Sequence, residues 1–446
     1  MIQCYVQDST PNLACWMILE KMPLQTRISL TASAHMAKEL FRLGNIEYWC
    51  PRYCHTGWSR AVGVSASTGE LREKNMEPIT IKIKTLTPIW TGGVDRGCVR
   101  VHETGILGSL RWWYEAIVRG LGGYACDPTA ETRCNYEPQK GERSICAACY
   151  LFGCTGWARL FRFQWEHESD QRHPLHFYST LKLNRTWLTS IFDPRHGGDT
   201  KTSTLTGLYV HFGEFPIRLA FRGVSIDEAK SQLGLLLRFI ENRTGIGAKL
   251  QHGFGIVSFD DLSGFPTDGL TQLQSDINGK RFKTGNADPQ LPDLRRFLWK
   301  TFSKNFDGIF GKDKCAGTEP TGSIQYVPCA FDIRYKGSGK FGFRRFLEQE
   351  KGWKNHLDRL NRLMGTSEKG GETISDAERS GCMLNFGMPY RTAQNNMHVV
   401  RVYGVIPPTE AVNEIGDLID EYMKTIQATS LQTTSGIDVL KGACDV

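Results

Sequence analysis

A glycine-rich stretch in the middle of the chain has the composition of an anion-binding loop. Residues 241–259 read ENRTGIGAKLQHGFGIVSF, with glycines in the order G-x-G-x5-G-x-G around a lysine. Glycine lets another backbone approach closely and presents N–H groups to anions. A dinucleotide, a nucleoside triphosphate and an RNA phosphate chain are candidate ligands, and a tightly packed bulge is the structural alternative. The candidate residues are Gly245, Gly247, Lys249, Gly253 and Gly255.

The context of this stretch excludes two nucleotide-binding fingerprints. A dinucleotide fingerprint places its glycines between a strand and the helix that follows it. Here a predicted helix comes first and a predicted strand follows. A Walker loop needs serine or threonine after its lysine at the start of a helix, but Leu250 follows Lys249. An RNA backbone and a packing bulge remain.

A second glycine segment, GILGSLRWWYEA at 105–116, leads into a predicted helix. The unsatisfied N–H groups of a helix start attract phosphate, and hydroxyl and guanidinium groups nearby add further donors. The alternative is an ordinary helix start whose arginine lies in a surface ion pair. The phosphate-binding candidates are Gly105, Gly108, Ser109 and Arg111.

Five of the 14 cysteines fall between residues 126 and 154. A chain of this length in the cytoplasm would not use them as a disulfide scaffold. The spacing C-x7-C-x11-C-x2-C supplies four thiolates for a tetrahedral structural zinc ion, and a segment with few apolar residues gains order from a metal. Unliganded thiols are the alternative, and Cys154 is a spare ligand. The predicted zinc ligands are Cys126, Cys134, Cys146 and Cys149.

Catalytic groups are sparse. His102 and Asp95 lie in a predicted loop, where either could act as a general base toward a ribose 2′-OH. No second acid–base group is paired with them, and no Ser-His-Asp array or paired-carboxylate motif is present. The sequence therefore favours a loop histidine over a catalytic one.

The first elements from Met76 show clear periodicity. Residues 79–84 alternate isoleucine with Thr80, Lys82 and Lys84, which predicts a half-buried strand with a basic face. Residues 108–121 have the apolar stripe of a helix, with Arg111, Glu115 and Arg119 at favourable i,i+4 spacing.

The following elements complete a repeating order. Residues 158–165 and 216–223 predict strands, the second with Arg218 opposite its apolar side. Residues 225–242 predict a helix that opens with a capping-box pattern, and 254–260 predict a last strand. The order β-α-β-β-α-β is the ferredoxin-like arrangement.

The fold class predicted is α+β, with two ferredoxin-like, RRM-like domains in tandem and a cysteine-rich insertion in the first. Residues 327–335 predict a strand and 340–364 a helix in the second domain, followed by two further strands and a terminal helix. The predicted divisions are a first domain at 76–262 with insertions 122–157 and 166–214, a linker at 263–293, a second domain at 294–425 and a disordered tail at 426–446.

The first 75 residues lack sustained periodicity. They are either a real N-terminal extension or upstream sequence included by choosing too early a start codon. The second interpretation, with Met76 as the native start, is favoured, because a clean strand pattern begins there.

Length and composition set broad limits. A chain of 446 residues is long enough for two or three domains. Hydrophobic content of 40% and charged content of 23% are typical of soluble globular proteins. A net charge of +7 permits an anionic partner. No apolar run reaches the length of a membrane span and no secretory signal is seen, so the expected location is cytoplasmic, without a membrane partner.

Taken together, the segments LTPIWTGG, GILGSLRWWYEAIVRGLGG, CAACYLFGCTGWARLFRF and GIGAKLQHGFGIVSF resemble the RAMP superfamily of CRISPR-associated proteins. The second-half segments FGFRRF, FGMPYR and RVYGVIPP extend the resemblance to about residues 78–408. Within the superfamily the chain most resembles the first RAMP subunit of the type III-B Cmr effector complex. Gly105 and Leu107 stand where the family usually has serine and lysine.

The resemblance implies a non-catalytic RNA-binding subunit in antiviral defence, placed near the 3′ end of a crRNA guide. Its partners would be crRNA, target RNA and other RAMP subunits, and its glycine loop and basic groups would bind RNA backbone. Arg218 is a further RNA-binding candidate, with Lys82 and Lys84 as weaker ones. The alternative is a metal-independent crRNA-processing endoribonuclease that uses His102.

Overall fold

The structure, a computed structural model, divides into two compact units at residues 1–71 and 72–446. In the first unit the backbone is described for three antiparallel strands, which pair in chain order. Their bounds are β1 Tyr5–Val6, β2 Asn12–Trp16 and β3 Ser29–Ser33. The second unit begins close to the predicted boundary at residue 76. Neither interpretation of the first 75 residues is tested by this division.

In the second unit the structure describes most of the chain. The described ranges are 78–93, 98–166, 210–223, 225–286, 288–306, 330–334 (331 by its backbone alone), 342–366, 381–391 and 397–441, with backbone only for the strand Arg172–His176 and for residues 204–209.

An antiparallel four-stranded sheet with two long helices organises the first half of this unit. Isoleucines of its first strand are buried while the intervening lysines are exposed, as alternation along a strand requires. The elements are β4 Ile79–Thr85, α1 Glu103–Gly120, α2 Ala147–Phe152, β5 Phe161–Trp165, β6 Arg172–His176, β7 Thr204–His211, β8 Glu214–Phe221, α3 Ile226–Arg243 and β9 Val257–Phe259. The sheet order is β5-β8-β4-β9, and β6 pairs with β7.

The second half repeats the same order of elements. Its main strands are arranged β11-β13-β10-β14, all antiparallel, with the short β12 also paired to β13. In both sheets the first strand in the chain lies between the third and the fourth. The elements are α4 Gly269–Asn278, β10 Phe297–Lys304, α5 Ala330–Arg334, α6 Phe343–Gln349, α7 Leu357–Met364, β11 Leu384–Phe386, β12 Tyr390–Arg391, β13 His398–Val405, α8 Val412–Thr425 and β14 Thr429–Ser435.

The two halves share one apolar core. Trp113 of α1 packs edge-on against Phe297 of β10 at 5.7 Å between ring centroids, and it lies 6.2 Å from Tyr403 of β13. Both second-half residues belong to the same buried cluster as α1 and α3. A second cluster lies beneath β10, β13 and α8. The halves are therefore joined by packing as well as by the chain.

The predicted mixed α+β class is confirmed, and the first half follows the predicted order of elements. Two local details differ. α1 begins at Glu103 rather than at residue 108, so Gly105, which precedes the predicted start, and Gly108, which stands at it, both lie inside the helix. Ser225 precedes α3 without a side-chain capping bond, and Glu228 of the predicted capping box pairs with Arg281.

The second half differs more from the prediction. The predicted strand at 327–335 contains the helix α5, since a short apolar run does not distinguish strand from helix. The predicted helix at 340–364 is two helices, α6 and α7, interrupted near Gly352, whose φ is +74°. The two following strands and the terminal helix are confirmed.

Two predicted irregular segments contain regular structure. The linker at 263–293 includes α4. The predicted disordered tail at 426–446 contains β14, which pairs with β10 along the sheet edge. Its sequence TSLQTTS is polar because five of its seven residues are exposed, and this exposure hid it from a search for apolar alternation.

Candidate nucleic-acid interface and cysteine cluster

The glycine loop, residues 244–255, needs its glycines for backbone shape and for packing. Gly247, Gly253 and Gly255 have φ values of +88°, +88° and +80°, a region that other residues rarely adopt. A Cβ at Gly255 would overlap the Ile246 carbonyl oxygen, and one at Gly253 would lie 2.5 Å from Met388 N. A Cβ at Gly245 would lie 2.8 Å from Gly255 O, and one at Gly247 would lie 2.7 Å from Trp90 O. The packing interpretation therefore accounts for both glycine pairs.

Several N–H groups of the loop are already bonded inside the protein. Gly253 N–H donates to Leu250 O at 2.9 Å, and Gly255 N–H donates to Pro88 O at 2.8 Å. Both residues are buried. Their amides are thus committed to the fold, and the part of the loop left at the surface is its tip, residues 247–251.

Lys249 lies at that tip in a left-handed conformation, with φ +60° and ψ +28°. It precedes the single turn Leu250–His252. Its Nζ lies 5.9 Å from the centroid of the Trp90 ring, within the range of a cation–π interaction. The lysine charge therefore lies over the Trp90 ring at the loop tip.

A buried connecting segment, residues 88–91, joins the glycine loop to the start of α1. Trp90 O accepts a hydrogen bond from Ala248 N at 2.8 Å. The next residue, Thr91, accepts one from His102 N at 2.8 Å through its Oγ1. The two glycine motifs of the sequence are therefore brought together by one short segment between β4 and α1.

At the start of α1 the predicted residues have different environments. A Cβ on Gly105 would meet the Thr91 side chain at 3.3 Å, so this glycine allows close packing. Gly108 is exposed, and a Cβ there would meet nothing within 4 Å. Ser109 is partly exposed. Because the helix begins at Glu103, the N–H groups of Gly105 and Gly108 are not the unsatisfied first N–H groups that the sequence predicted. Gly108 instead exposes helix backbone that no side chain covers.

Arg111 points into the protein. Its side chain is 19% exposed, and it donates to Glu115 Oε1 at 2.8 Å, Gly153 O at 2.9 Å and Cys149 Sγ at 3.2 Å. The predicted i,i+4 relation holds, since Glu115 also lies 3.6 Å from Arg119. All three donor groups of the guanidinium face partners within the chain.

The polar face of the first sheet is open to solvent at the basic positions. Lys82 and Lys84 on β4 and Arg218 on β8 are exposed. Arg218 lies 3.7 Å from Glu166, and Lys84 lies 3.9 Å from Glu214. Exposed ion pairs at these distances contribute little to stability. The sheet face therefore carries exposed groups of both charges.

Four cysteines form a compact buried cluster. The Sγ atoms of Cys126, Cys134, Cys146 and Cys149 all lie within 4.8 Å of one another. Cys126 Sγ is 3.5 Å from Cys149 Sγ and 3.9 Å from Cys146 Sγ. A tetrahedral ion with bonds of about 2.3 Å holds its sulfurs about 3.8 Å apart, so the donor set and its spacing fit zinc. Cys154 lies outside this set and donates to Thr155 O.

Backbone and thiol hydrogen bonds converge on these sulfurs. Cys146 N–H donates to Cys134 Sγ at 3.4 Å, and Cys149 N–H donates to Cys146 Sγ at 3.5 Å. Hydrogen bonds from the other three thiols lower the pKa of Cys126, while the bonds that Cys149 shares with them raise its own pKa. The four sulfurs are therefore joined in one hydrogen-bond network.

His102 precedes the first residue of α1. Its carbonyl accepts hydrogen bonds from Gly105 N and Ile106 N, and its Nε2 is buried without a partner among the described residues. Asp95, the other residue considered as a general base, lies outside the described residues. The position of His102 is explained by the helix start that it shapes.

Sequence reasoning missed the connecting segment. Trp90 and Thr91 carry no motif chemistry, and they matter through one backbone carbonyl and one hydroxyl. The run TPIWTGG between a strand and a helix was visible, but its pairing with a loop more than 150 residues later required the fold.

Residues 82–258 match the sequence model of the RAMP superfamily. The chain contains a RAMP domain. The matched range begins in β4 and ends in β9, so the sheet, α1, α3 and the glycine loop all fall within it. The resemblance seen in the sequence motifs is thereby confirmed at the level of the superfamily.

Two solved structures are similar to about four fifths of the chain. One is Cmr1 from Pyrococcus furiosus in its apo form, with 11% identity, 80% of this chain and 98% of that chain covered, and a TM-score of 0.38. Another is a chain of the type III-B Cmr-beta complex bound to cognate target RNA, with 12% identity, coverage of 79% and 100%, and a TM-score of 0.43. No curated protein matches the chain. Every helix among the described residues is too short or too polar to cross a bilayer.

Proposed function

We propose that this protein is a non-catalytic RNA-binding subunit of a type III-B CRISPR (Cmr) interference complex. It contacts crRNA and target RNA near the 3′ end of the guide, beside other RAMP subunits, in antiviral defence. The connecting segment 88–91 carries the proposal, because it places the Lys249 tip and the open start of α1 on one continuous structure. The match of residues 82–258 to the RAMP superfamily model supports the same proposal.

The fold proposed for this role is two ferredoxin-like domains in tandem. Both sheets have the first strand between the third and the fourth, and both carry helices in a β-α-β-β-α-β order. The shared core around Trp113 fixes one domain against the other. Such a rigid pair suits a subunit that holds an RNA backbone in register.

RNA recognition in this proposal is by backbone and charge. Gly108 leaves room for a phosphate–sugar chain, and Lys249 supplies a cation at the loop tip. Lys82, Lys84 and Arg218 add positive charge on the open sheet face. Base identity is left to guide–target pairing, since phosphate contacts position a nucleic acid without reading its sequence.

The cysteine cluster is proposed as a structural zinc site within the same domain. Cys126, Cys134, Cys146 and Cys149 would hold the ion, which would cross-link the insertion between α1 and β5. A metal that orders a segment contributes directly to folding. Zinc content of the protein purified at neutral pH tests this: one ion per chain is expected, falling to none in Cys126→Ser and staying at one in Cys382→Ser. Substoichiometric metal in the wild type contradicts it.

The RNA role is tested by the salt dependence of binding. Each phosphate contact to a single strand contributes a slope of about 0.7 in log K against log salt. Lys249→Ala is expected to weaken binding of guide-length RNA and to reduce the slope by about that amount. Lys354→Ala, an exposed lysine in the second half, is the matched control and should leave the slope unchanged.

Two outcomes of the RNA experiments would overturn the proposal. An unchanged slope in Lys249→Ala removes the loop from the RNA contacts. Cleavage of repeat RNA by the protein alone, abolished in His102→Ala, would make the chain a crRNA-processing endoribonuclease instead.

A further inference from the structure

Arg111 was predicted as a phosphate ligand, but its three donor groups face the interior. The guanidinium meets Glu115, the Gly153 carbonyl and Cys149 Sγ, each within 3.2 Å. A planar guanidinium makes such directed bonds at low entropic cost once it is in place. A phosphate at the surface would have to displace at least one of them.

We propose that Arg111 is a positioning residue for the metal centre: its N–H···S bond stabilises the metal-bound thiolate of Cys149. This inference rests on the zinc site proposed above and assigns a residue outside the four ligands. No other charged donor among the described residues is hydrogen-bonded to a sulfur of the cysteine cluster.

Charge balance explains why such a donor is needed. Four thiolates around a divalent ion carry a net charge of about −2. All four cysteines are buried, and buried charge is costly unless it is paired. The two backbone N–H···S bonds supply dipoles, while Arg111 supplies a full positive charge at 3.2 Å from one sulfur.

The neighbouring residues of α1 extend the same support to the other side of the cluster. Glu115, with a side chain 6% exposed, lies between Arg111 and Arg119. Arg119 donates to the carbonyl oxygens of Ala125 and Cys126 at 3.1 and 3.3 Å. One face of α1 therefore holds the cluster at Cys126 through its backbone and at Cys149 through its sulfur.

Groups that hydrogen-bond to metal ligands typically contribute a factor of about 10–100 in metal affinity. Arg111→Met is expected to release zinc to a chromogenic chelator about 10–100-fold faster than the wild type, and Arg111→Lys to fall between them. Arg133→Met is the matched control, since Arg133 is an exposed arginine in the same insertion; it should release zinc at the wild-type rate.

The sulfur-to-cobalt charge-transfer band of the cobalt-loaded protein reports on the metal-bound sulfurs and does not change with a general loss of packing. The N–H···S bond lowers the energy of the sulfur lone pair, so its loss should shift the sulfur-to-cobalt charge-transfer band to longer wavelength in Arg111→Met. Glu115→Gln, which keeps the shape of the carboxylate, provides a second variant if Arg111→Met fails to fold. It is expected to give a smaller shift in the same direction.

The outcomes separate this inference from the proposals on which it stands. If the wild type holds no zinc, the metal site fails and the role of Arg111 fails with it. If the wild type holds one zinc and Arg111→Met releases it at the wild-type rate, only the inference is overturned. A reduced RNA salt slope in zinc-loaded Arg111→Met would instead assign Arg111 to phosphate, as the sequence first predicted.

Discussion

At the scale of single residues, identical amino acids in this protein serve opposite purposes. Gly255 is buried, has a left-handed backbone and faces the Ile246 carbonyl. Gly108 is exposed in α1 with open space where a side chain would be. Only the first is required by the fold. The second is free to serve a ligand.

Replacing each glycine with alanine should therefore change stability in opposite directions. Gly255→Ala combines a strained backbone with overlap against a carbonyl, and should lower the free energy of unfolding by at least about 2 kcal/mol. Gly108→Ala replaces a helical glycine and should raise it by up to about 1 kcal/mol. Denaturant unfolding measures both. A free energy of unfolding for Gly255→Ala no lower than that for Gly108→Ala would show that the backbone around Gly255 accommodates a Cβ.

At the scale of elements, the insertion between α1 and β5 is held by more than the cysteines. Arg281, after α4, pairs with Glu142 in the insertion at 2.7 Å, with Glu228 of α3 at 2.7 Å and with Asp276 of α4 at 3.1 Å. It also donates to Tyr150 Oη at 3.1 Å. This one guanidinium connects three elements, and its most distant partner, Glu142, lies 139 residues away in the sequence.

Arg281→Met should lower the free energy of unfolding, because it leaves the carboxylate partners of Arg281 unpaired. Glu228 is almost fully buried, with 7% of its side chain exposed. Because Arg281 itself is partly exposed, the expected loss of stability is roughly 2–3 kcal/mol, below the upper range for a fully buried pair. Adding Glu228→Gln should recover part of it.

The control for this experiment is Arg295→Met. Arg295 is 62% exposed and pairs with its neighbour Asp293, so its loss should be within about 1 kcal/mol. Thermal or denaturant unfolding distinguishes the two cases. A loss at Arg281 no larger than at Arg295 would show that the insertion does not depend on this connection.

Prediction from the sequence worked where period and packing coincide. The alternation of residues 79–84 reports burial directly, so β4 and its basic face were predictable. It failed for two strands whose sequences do not alternate between apolar and polar residues. β10 contains Lys300, which is buried and bonded to Asp420 at 2.7 Å, and β14 is polar because it lies at an exposed edge.

The candidate site was predictable in the same limited way. The cysteine spacing gave all four members of the cluster, because metal-ligand chemistry leaves a pattern in the sequence. Arg111 gave no such signal. Its neighbours in sequence suggested a phosphate contact and the pairing with Glu115, while its other two partners are 38 and 42 residues away.

At the scale of the whole molecule, the shared core makes the two halves of the second unit interdependent. Tyr403 of β13 is fully buried against Trp113 of α1, and Arg401 of the same strand donates to Thr244 O at 2.8 Å. The glycine loop continues this contact, since Gly253 lies against Met388. The loop therefore has one side against the second half of the unit and its tip at the surface.

Tyr403→Ala should destabilise both halves together. Removing a buried aromatic side chain costs about 3–5 kcal/mol. If the halves unfold as one unit, the slowest-exchanging amides of α1 and α8 should lose the same protection from hydrogen exchange. Loss of protection in α8 alone would show that the halves unfold separately.

The central position of β10 also bears on how the chain is made. Its partner β13 begins at His398 and β14 at Thr429, so a ribosome working at about 5–20 residues per second needs roughly 5–20 s to pass from β10 to the first of them. During this interval Phe297 and Trp299 have no strand beside them. Both belong to the buried cluster that includes α1 and α3. Because those helices are synthesised first, we expect them to cover Phe297 and Trp299 and so to limit aggregation of β10 until its partner strands emerge.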